Sequence, residues 1–299
     1  MLIIQETEMK TENEYLSLEV NENGGCLKSI YDKKRNKELL YQPIEESWKG
    51  QDIFIFPFIA RLKDGSYTVD SKEYRMKNHG LLRYMKADMV LEDNNDIKAS
   101  FTSDENTLLQ YPFSFKAYSL YHLSGNRIDI SYHILNTDDR DMPFEVGAHP
   151  AFMLPGEKKE DEFDISGNTI LFAKKMKLER VLQEETASFN IKDVNYKETD
   201  HIELSKSLFR DIPTLILKAK DIDQVTLKKK DGSRITIHKG KSPFLALWSD
   251  QKWGNYVAIE PWDGLPDYVD CPKEMKDKKE IKMLKPNDEY VFNYSIEID

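Results

Sequence analysis

Residues 113–136, with the sequence FSFKAYSLYHLSGNRIDISYHILN, contain two runs of alternating apolar and polar side chains separated by Ser-Gly-Asn. This alternation predicts two β-strands, because successive side chains of a strand point to opposite faces of its sheet. The apolar face of the second strand carries Ile128, Ile130, Tyr132 and Ile134. His122 and His133 fall on the polar face, so we predict that neither is a site residue. The segment therefore predicts an antiparallel hairpin with one buried face.

Similar runs occur on both sides of this hairpin. The predicted strands cover residues 14–20, 25–31, 53–60, 67–69, 73–76, 144–152, 215–220, 225–230, 234–238, 244–249, 256–260 and 290–298. The run 53–60 is apolar throughout, which predicts a strand buried on both faces. Only 205–209 is predicted to be helical. Turn formers separate the strands and no linker interrupts the pattern, so we predict an all-β fold, a large antiparallel β-sandwich in a single domain spanning residues 1–299.

Composition excludes several classes of protein. The chain has 299 residues and a formal net charge of -10, whereas a nucleic-acid surface needs a basic stripe to neutralise phosphates. Cys26 and Cys271 lack metal-ligand spacing and are predicted to be reduced structural thiols, as in cytosolic proteins. The first ten residues do not resemble a signal peptide, and no apolar run has membrane length. We therefore expect a cytoplasmic monomer or weak homodimer with no nucleic-acid or membrane partner.

The stretch IEPWDGLPD, residues 259–267, places Glu260 between the end of an apolar strand and a proline. Proline fixes φ, so the two prolines of this stretch hold the carboxylate in a rigid loop, as a catalytic base requires. Trp262, together with Trp248, offers an indole face on which the C–H face of a sugar can stack. An ordinary edge-strand acid is the alternative, and this stretch alone leaves both interpretations open.

Of the six histidines, two differ from the rest in their surroundings. His201 lies in a charged, turn-like context and His238 on the polar face of a predicted strand, so both are predicted to be surface residues. His79 and His149 are followed by Gly and Pro and bordered by apolar residues, which predicts positions at loop rims over a sheet. Partly buried histidines bonded to the backbone remain an alternative for this second pair.

Four separate motifs carry a resemblance to a known family. They are FPFIARL at 56–62, NHGLLR at 78–83, GAHPAF at 147–152 and AIEPWDG at 258–264. In their order and spacing the chain resembles the aldose 1-epimerase (galactose mutarotase-like) family, in its LacX-like branch. The similarity extends from about residue 14 to residue 297. Each motif alone is weak, but the set is specific.

The resemblance implies that the chain folds as a galactose mutarotase-like β-supersandwich with an open cleft. It also implies mutarotase activity that needs no cofactor. Carried over by motif, Glu260 resembles the general base and His149 the general acid. His79 and Arg61 resemble the groups that hold and polarise the ring oxygen and the C1 hydroxyl of the sugar. The aspartate that binds sugar hydroxyls in the galactose enzymes has no secure match, although Asp211 lies in a related stretch. The resemblance therefore leaves the identity of the hexose open.

The chemistry of mutarotation requires the same residue types. Converting an α-aldose into a β-aldose removes the proton of the anomeric hydroxyl and protonates the ring oxygen, so that the ring opens and recloses on the other face. A glutamate with a reference pKa near ~4.3 and a histidine near ~6.5 form a natural base and acid for this transfer. Arg61 always keeps its charge and would stabilise the developing oxygen charge. Neither a metal nor a nucleotide is required.

Two alternatives retain the same fold. A non-catalytic carbohydrate-binding or sensing protein would keep the two tryptophans but would not need an acid and a base together. A hexose-phosphate 1-epimerase would add a cationic group for the phosphate, and Arg83 is the candidate, although a surface or strand-edge arginine is an equal interpretation.

Two further alternatives change the chemistry. A glycoside hydrolase needs two carboxylates that flank the bond, and Glu260 with Asp263, Asp267 or Asp270 would provide them but leave both histidines unused. A metal hydrolase would use His79, His149 and Glu260 as ligands. Nothing in the sequence has the short i, i+4 ligand spacing that would make this specific, and we predict no metal.

Overall fold

A computed structural model of the protein describes residues 8–92, 95–181, 193–211 and 214–299, without the side chains of 193–197 and 211. The strands of the N-terminal third are β1 Glu8–Glu12, β2 Leu16–Asn21, β3 Cys26–Asp32, β4 Lys37–Glu38, β5 Phe54–Ile55, β6 Ser66–Val69, β7 Lys72–Arg75, β8 Asp88–Leu91 and β9 Ile97–Thr102. Those of the middle are β10 Phe115–Ser124, β11 Arg127–Asn136, β12 Met142–Phe144, β13 Val146–Ala148, β14 Ala151–Met153, β15 Glu157–Lys158, β16 Phe163–Asp164, β17 Thr169–Val181 and β18 Asp193–Glu203. The remaining strands are β19 Thr214–Lys218, β20 Gln224–Lys228, β21 Arg234–His238, β22 Phe244–Trp248, β23 Tyr256–Asp263, β24 Lys282–Leu284 and β25 Glu289–Ile298. The helices are α1 Glu105–Leu108 and α2 Lys206–Asp211, with 3₁₀ turns at Lys63–Gly65, Leu82–Tyr84 and Met275–Asp277.

One large sheet organises the described part of the chain. Its fifteen strands follow the path β5-β13-β23-β22-β19-β17-β20-β21-β25-β11-β10-β9-β8, with β14 beside β23 and β18 beside β17. A four-stranded sheet, β1-β2-β3-β4, packs against the β9–β10 part of the large sheet, where the Tyr121 hydroxyl donates to the Gly25 carbonyl at 2.8 Å. The prediction of a large antiparallel all-β sandwich is confirmed.

The hairpin predicted at residues 113–136 lies inside the large sheet as β10 and β11. Its register runs without a break from Phe115 opposite Asn136 to Ser124 opposite Arg127. The side chains of Ile128, Ile130, Tyr132 and Ile134 are buried. On the other face, His122 contacts Asp96 and His133 contacts Glu289. The prediction that both histidines lie on the polar face is confirmed.

The apolar run 53–60 is buried on both faces, as predicted, but it is a strand over only two residues. Its side chains alternate between two apolar clusters, with Phe54, Phe56 and Phe58 in one and Ile53, Ile55 and Ile59 in the other. The strand is short because Pro57 has no N–H for a ladder and Ala60 has a φ of 51°. The chain therefore turns out of the sheet just before Arg61.

Other predicted boundaries also change. The strand predicted at 144–152 is divided among β12, β13 and β14, and Pro150, which cannot donate to a ladder, separates β13 from β14. The helical turn predicted at 205–209 is confirmed as α2. The predicted strands leave out β1, β4, β8, β9, β15, β16, β17, β18 and β24. The pattern also missed α1, whose Asp104 side chain accepts from the Thr107 N–H in a capping box.

Candidate active site

His149 and Glu260 face each other because of the register between neighbouring strands. Gly147 pairs with Trp262 on one side of His149, and Ala151 pairs with Ala258 on the other, so His149 lies directly across from Glu260. The Nε2 atom of His149 is 3.3 Å from Oε1 of Glu260. A Cβ at Gly147 would lie 2.8 Å from the Trp262 ring, so only glycine permits this approach of the two strands.

Glu260 is buried, and both of its carboxyl oxygens have contacts. Its side chain is 1% exposed. Oε2 accepts a hydrogen bond from the indole Nε1–H of Trp262 at 3.1 Å, since residues two apart on a strand share a face. Burial raises the pKa of Glu260 well above its usual range, the Trp262 hydrogen bond opposes this rise, and the charge of Asp52 adds to it. Trp262, which is itself 2% exposed, therefore orients the carboxyl group of Glu260.

His149 is buried beside this carboxyl group and between two indoles. Its ring centroid is 4.8 Å from that of Trp48 and 5.5 Å from that of Trp248. The pKa of His149 is lowered to about 3, mainly by burial, with a backbone hydrogen bond opposing the shift and the charge of Arg83 adding to it. Because burial disfavours a charge on either partner, His149 and Glu260 form a coupled pair that holds one proton and no net charge.

His79 lies next to this pair, and its tautomer is defined by the backbone. The Ala60 N–H donates to His79 Nδ1 at 3.2 Å, so the proton of the neutral ring is on Nε2. Burial lowers the pKa of His79 well below its usual range, and the charges of His149, Arg83 and Arg61 lower it further. Its ring centroid is 5.2 Å from that of His149. His79 is therefore a neutral hydrogen-bond donor beside the acid–base pair.

The two predicted arginines lie at different depths. Arg61 is exposed and acts on His79 through its charge. Arg83 is half-buried on the 3₁₀ turn Leu82–Tyr84, and its guanidinium lies 5.1 Å from the centre of the Tyr84 ring. Its charge lowers the pKa of both His79 and His149. Together the two arginines make this side of the site cationic.

Trp48 belongs to the site and was missed by the sequence patterns. It is half-buried, and its ring centroid lies 5.4 Å from that of Trp248 and 5.8 Å from that of Tyr256. A Cβ at Gly50 would lie 2.4 Å from the Trp48 ring, so glycine there makes room for the indole. Trp48 and the half-buried Trp248 form an aromatic wall beside His149. The only signal in the sequence was an aromatic residue two positions before a glycine.

The predicted carboxylates Asp263, Asp267 and Asp270 do not lie beside Glu260. Asp263 is on the opposite face of β23, where it pairs with Lys282 at 2.6 Å and accepts from the Tyr290 hydroxyl. Asp267 accepts from the Lys63 N–H at 2.8 Å and pairs with Lys278, and Asp270 is exposed. The backbone of Asp211 ends α2, and its side chain lies outside the described residues. In the described ranges, no three His, Cys, Asp or Glu side chains are grouped closely enough to hold a metal ion.

The family follows from a comparison with known proteins. A family model described as aldose 1-epimerase matches residues 7–297 of this chain. The chain belongs to the aldose 1-epimerase family. The resemblance drawn from the four sequence motifs is thereby confirmed. Within the residues that the structure describes, the helices of this family member are too short or too polar to cross a bilayer.

Individual relatives in the aldose 1-epimerase family match along almost their full length. The chain is 28% identical to the chromosomal protein LacX of Lactococcus lactis subsp. lactis, covering 97% of this chain and 99% of that protein. It is similar to the structure of a galactose mutarotase related enzyme from Lactobacillus acidophilus, with 25% identity, a TM-score of 0.91 and coverage of 98% and 97%. A galactose mutarotase-like protein from Lactobacillus casei has the same fold, with 22% identity, a TM-score of 0.90 and coverage of 98% and 100%.

Proposed function

We propose that this protein is an aldose 1-epimerase that interconverts the α and β anomers of a hexose by acid–base opening and reclosure of the ring. The observation that carries the proposal is the buried contact of 3.3 Å between His149 Nε2 and Glu260 Oε1. A pair that holds one proton can accept a proton from one sugar oxygen and donate one to another. Such a pair needs no cofactor for this reaction.

Ring opening uses the arrangement in which Glu260 is ionised and His149 is protonated. Glu260 takes the proton of the C1 hydroxyl, the bond between C1 and the ring oxygen breaks, and His149 protonates the departing ring oxygen. The products are an open-chain aldehyde, a protonated Glu260 and a neutral His149. This is the arrangement that burial of both side chains favours.

Reclosure reverses every transfer after the aldehyde has rotated about the bond between C1 and C2. His149 accepts the proton of the C5 hydroxyl as its oxygen attacks the other face of C1, and Glu260 donates its proton to the carbonyl oxygen. The pair returns to its starting arrangement, so the reaction is balanced in both directions. His79 Nε2–H would hold a sugar oxygen, and the Trp48–Trp248 wall would stack on the C–H face of the ring.

Polarimetry tests this proposal directly. Freshly dissolved α-glucose and α-galactose relax slowly to their anomeric equilibrium, and catalytic amounts of the protein should accelerate the relaxation of at least one hexose. The same protein after heat inactivation is the control for buffer catalysis. Binding of a sugar without acceleration of any aldose would contradict the proposed activity and support a carbohydrate-binding or sensing protein.

A phosphorylated hexose is the second candidate substrate, favoured by the two arginine charges that act on His79. Arg83 also acts on His149, and a half-buried guanidinium is suited to bind a phosphate group. NMR exchange measurements on glucose 6-phosphate and glucose compare the two substrates. If the phosphate is recognised, Arg83→Gln should raise the KM for glucose 6-phosphate by about tenfold or more, and raise that for glucose less. Equal changes for both sugars would argue against a phosphate site.

A further inference from the structure

A second buried carboxylate, Asp52, lies near the acid–base pair. Asp52 is 7% exposed and immediately precedes Ile53 and β5. Its Oδ1 accepts the Ile53 N–H at 2.8 Å, and its Oδ2 accepts the Leu27 N–H of β3 at 3.2 Å. Among the described residues, no lysine or arginine forms an ion pair with this carboxylate. Asp52 thus joins the smaller sheet to the edge of the large sheet through main-chain donors.

The register of β5 and β13 brings Asp52 to His149. Ile55 pairs with Gly147 and Phe54 with Ala148, so His149 stands opposite Ile53 at the point where the ladder ends. The next residue, Pro150, has no N–H and cannot continue the ladder. The Ala151 N–H donates to the Gln51 carbonyl at 2.9 Å, so residues 51–53 run beside His149 and Pro150. The Asp52 carboxylate therefore faces the backbone N–H of His149, and this N–H lowers the pKa of Asp52. The main chain of His149 thus lies against a buried side-chain acceptor where the ladder ends.

Asp52 also acts electrostatically on the partner of His149. Burial raises the pKa of Asp52 to about 6, so the group is ionised at neutral pH, and its charge raises the pKa of Glu260. The groups in contact with the Glu260 carboxyl are the His149 ring and the Trp262 N–H, whereas Asp52 acts on it through its charge. The other titratable groups that sense Asp52 are Cys26, Tyr121, Tyr132 and Tyr294. Burial raises the pKa of each of these four groups, so they are uncharged where Asp52 is ionised.

We propose that Asp52 is a positioning residue for the acid–base pair, whose buried carboxylate supports the main chain of His149 where the ladder between β5 and β13 ends and places a negative charge near Glu260. This inference rests on the proposed mutarotase activity for its effect on rate. Its effect on the proton of Glu260 does not depend on activity. Asp52 touches no reacting atom, and it acts only through the two residues in front of it.

The test is Asp52→Asn, which preserves size and one carbonyl acceptor but removes the charge. In protein labelled with ¹³C-glutamate, with the Glu260 signal assigned by Glu260→Gln, the titration of Glu260 should move to lower pH by about one unit. The alkaline limb of kcat/KM should move in the same direction, and kcat should fall by roughly tenfold or more because His149 is less well held.

Glu38→Gln is the matched control. The half-buried Glu38 carboxylate also accepts backbone N–H groups, those of Ile30, Leu39 and Leu40, but its charge is not one of those that shift the pKa of His149 or Glu260. Removing the charge of Glu38 should leave the titration of Glu260 unchanged. Asp52→Glu keeps the charge and moves the carboxylate, so it should retain most of the Glu260 titration while kcat still falls. Asp52→Glu also provides the test if Asp52→Asn does not fold.

The outcomes separate this inference from the proposed function. An unchanged Glu260 titration in Asp52→Asn would overturn the role of Asp52, even in an active mutarotase. A shifted titration in a protein that accelerates no aldose would support the role of Asp52 and refute the activity. Equal shifts in Asp52→Asn and Glu38→Gln would show a general loss of structure and also overturn the inference.

Discussion

Histidine–carboxylate pairs occur in two regions of this molecule, and they differ in burial more than in geometry. On the outer face of the large sheet, His122 Nδ1 is 2.7 Å from Asp96 Oδ1, with side chains 46% and 12% exposed. In the candidate active site, His149 and Glu260 are separated by 3.3 Å, with side chains 6% and 1% exposed. The shorter contact is therefore the more hydrated one.

The difference shows that burial, and not proximity, makes such a pair suitable for acid–base chemistry. Water screens an exposed pair and solvates each charge separately, so the contact contributes little. In the candidate active site, burial makes a charge on either partner alone unfavourable, and the two side chains titrate as one unit. His133 with Glu289, His201 with Asp200 and His238 with Glu297 are further pairs of the exposed kind.

The largest effect should come from removing the carboxylate of each kind of pair. Glu260→Gln keeps the shape of the side chain but cannot accept the C1 proton, so kcat/KM for mutarotation should fall by about a thousandfold. Glu289→Gln removes the exposed partner of His133 and should leave the rate within about twofold of wild type. Polarimetry measures both variants. Comparable rates for the two would remove the distinction between the regions and the assigned role of Glu260.

Replacing the histidine of each pair should have the next largest effect. His149→Asn removes the group that protonates the ring oxygen, and kcat should fall by about a hundredfold or more. His133→Asn changes the same residue type on the outer face and should not alter the rate. Circular dichroism spectra establish that both variants are folded. An active His149→Asn would assign the acid to another residue, and His79 would be the next to test.

A smaller effect is expected at the aromatic wall that keeps water from His149. Trp48→Ala removes one stacking surface and one side of the histidine environment, so KM for the sugar should rise by roughly 3- to 10-fold. The pKa of His149, lowered by burial in the intact protein, should rise, as measured by histidine NMR. Trp253→Ala is the control, because that half-buried indole contacts Lys158 and Lys252 away from the site. Equal behaviour of the two variants would exclude a role for Trp48.

The sequence predicted the fold well where one face of a strand is buried. The alternation in β10, β11 and β25 follows directly from that burial. The sequence pattern failed for β17, because the exposed lysines of this strand and its register shift between Leu171 and Met176 break the period of two. It also overestimated the length of the strand at 53–60, because an apolar run reports burial and not hydrogen bonding. The expectations of one domain, a cytoplasmic location and a monomer or weak homodimer stay predictions.

The sequence predicted some of the residues that the structure brings together in the candidate site, but not their contacts. Proline, glycine and apolar neighbours marked His79 and His149, since turns next to strands have local sequence signals. The same signals marked Glu260, but the prediction of a rigid loop there is wrong, because β23 continues through Pro261 to Asp263. The register that places His149 across from Glu260 depends on long-range strand pairing, which local patterns do not encode. Trp48 and Asp52 lie in a loop with no periodicity, so no pattern could connect them to a histidine about a hundred residues away.

Glu145 is a buried carboxylate whose hydrogen bonds, within the described part of the chain, come from backbone N–H groups. It accepts the Ile59 and Leu265 N–H groups at 2.9 and 3.1 Å, and burial raises its pKa to about 8. A folded-state pKa above the unfolded value near ~4.3 contributes stability that is complete below that value and lost as the pH rises to about 8.

Glu145→Gln should therefore lose less stability between pH 6 and pH 9 than wild type, with a difference in the Tm change of roughly 2–4 °C. Thermal melts at the two pH values measure it, with Glu289→Gln as the exposed control. Parallel Tm changes in all three proteins would mean that Glu145 stays protonated, or stays charged, throughout this range, and that burial alone does not determine its titration.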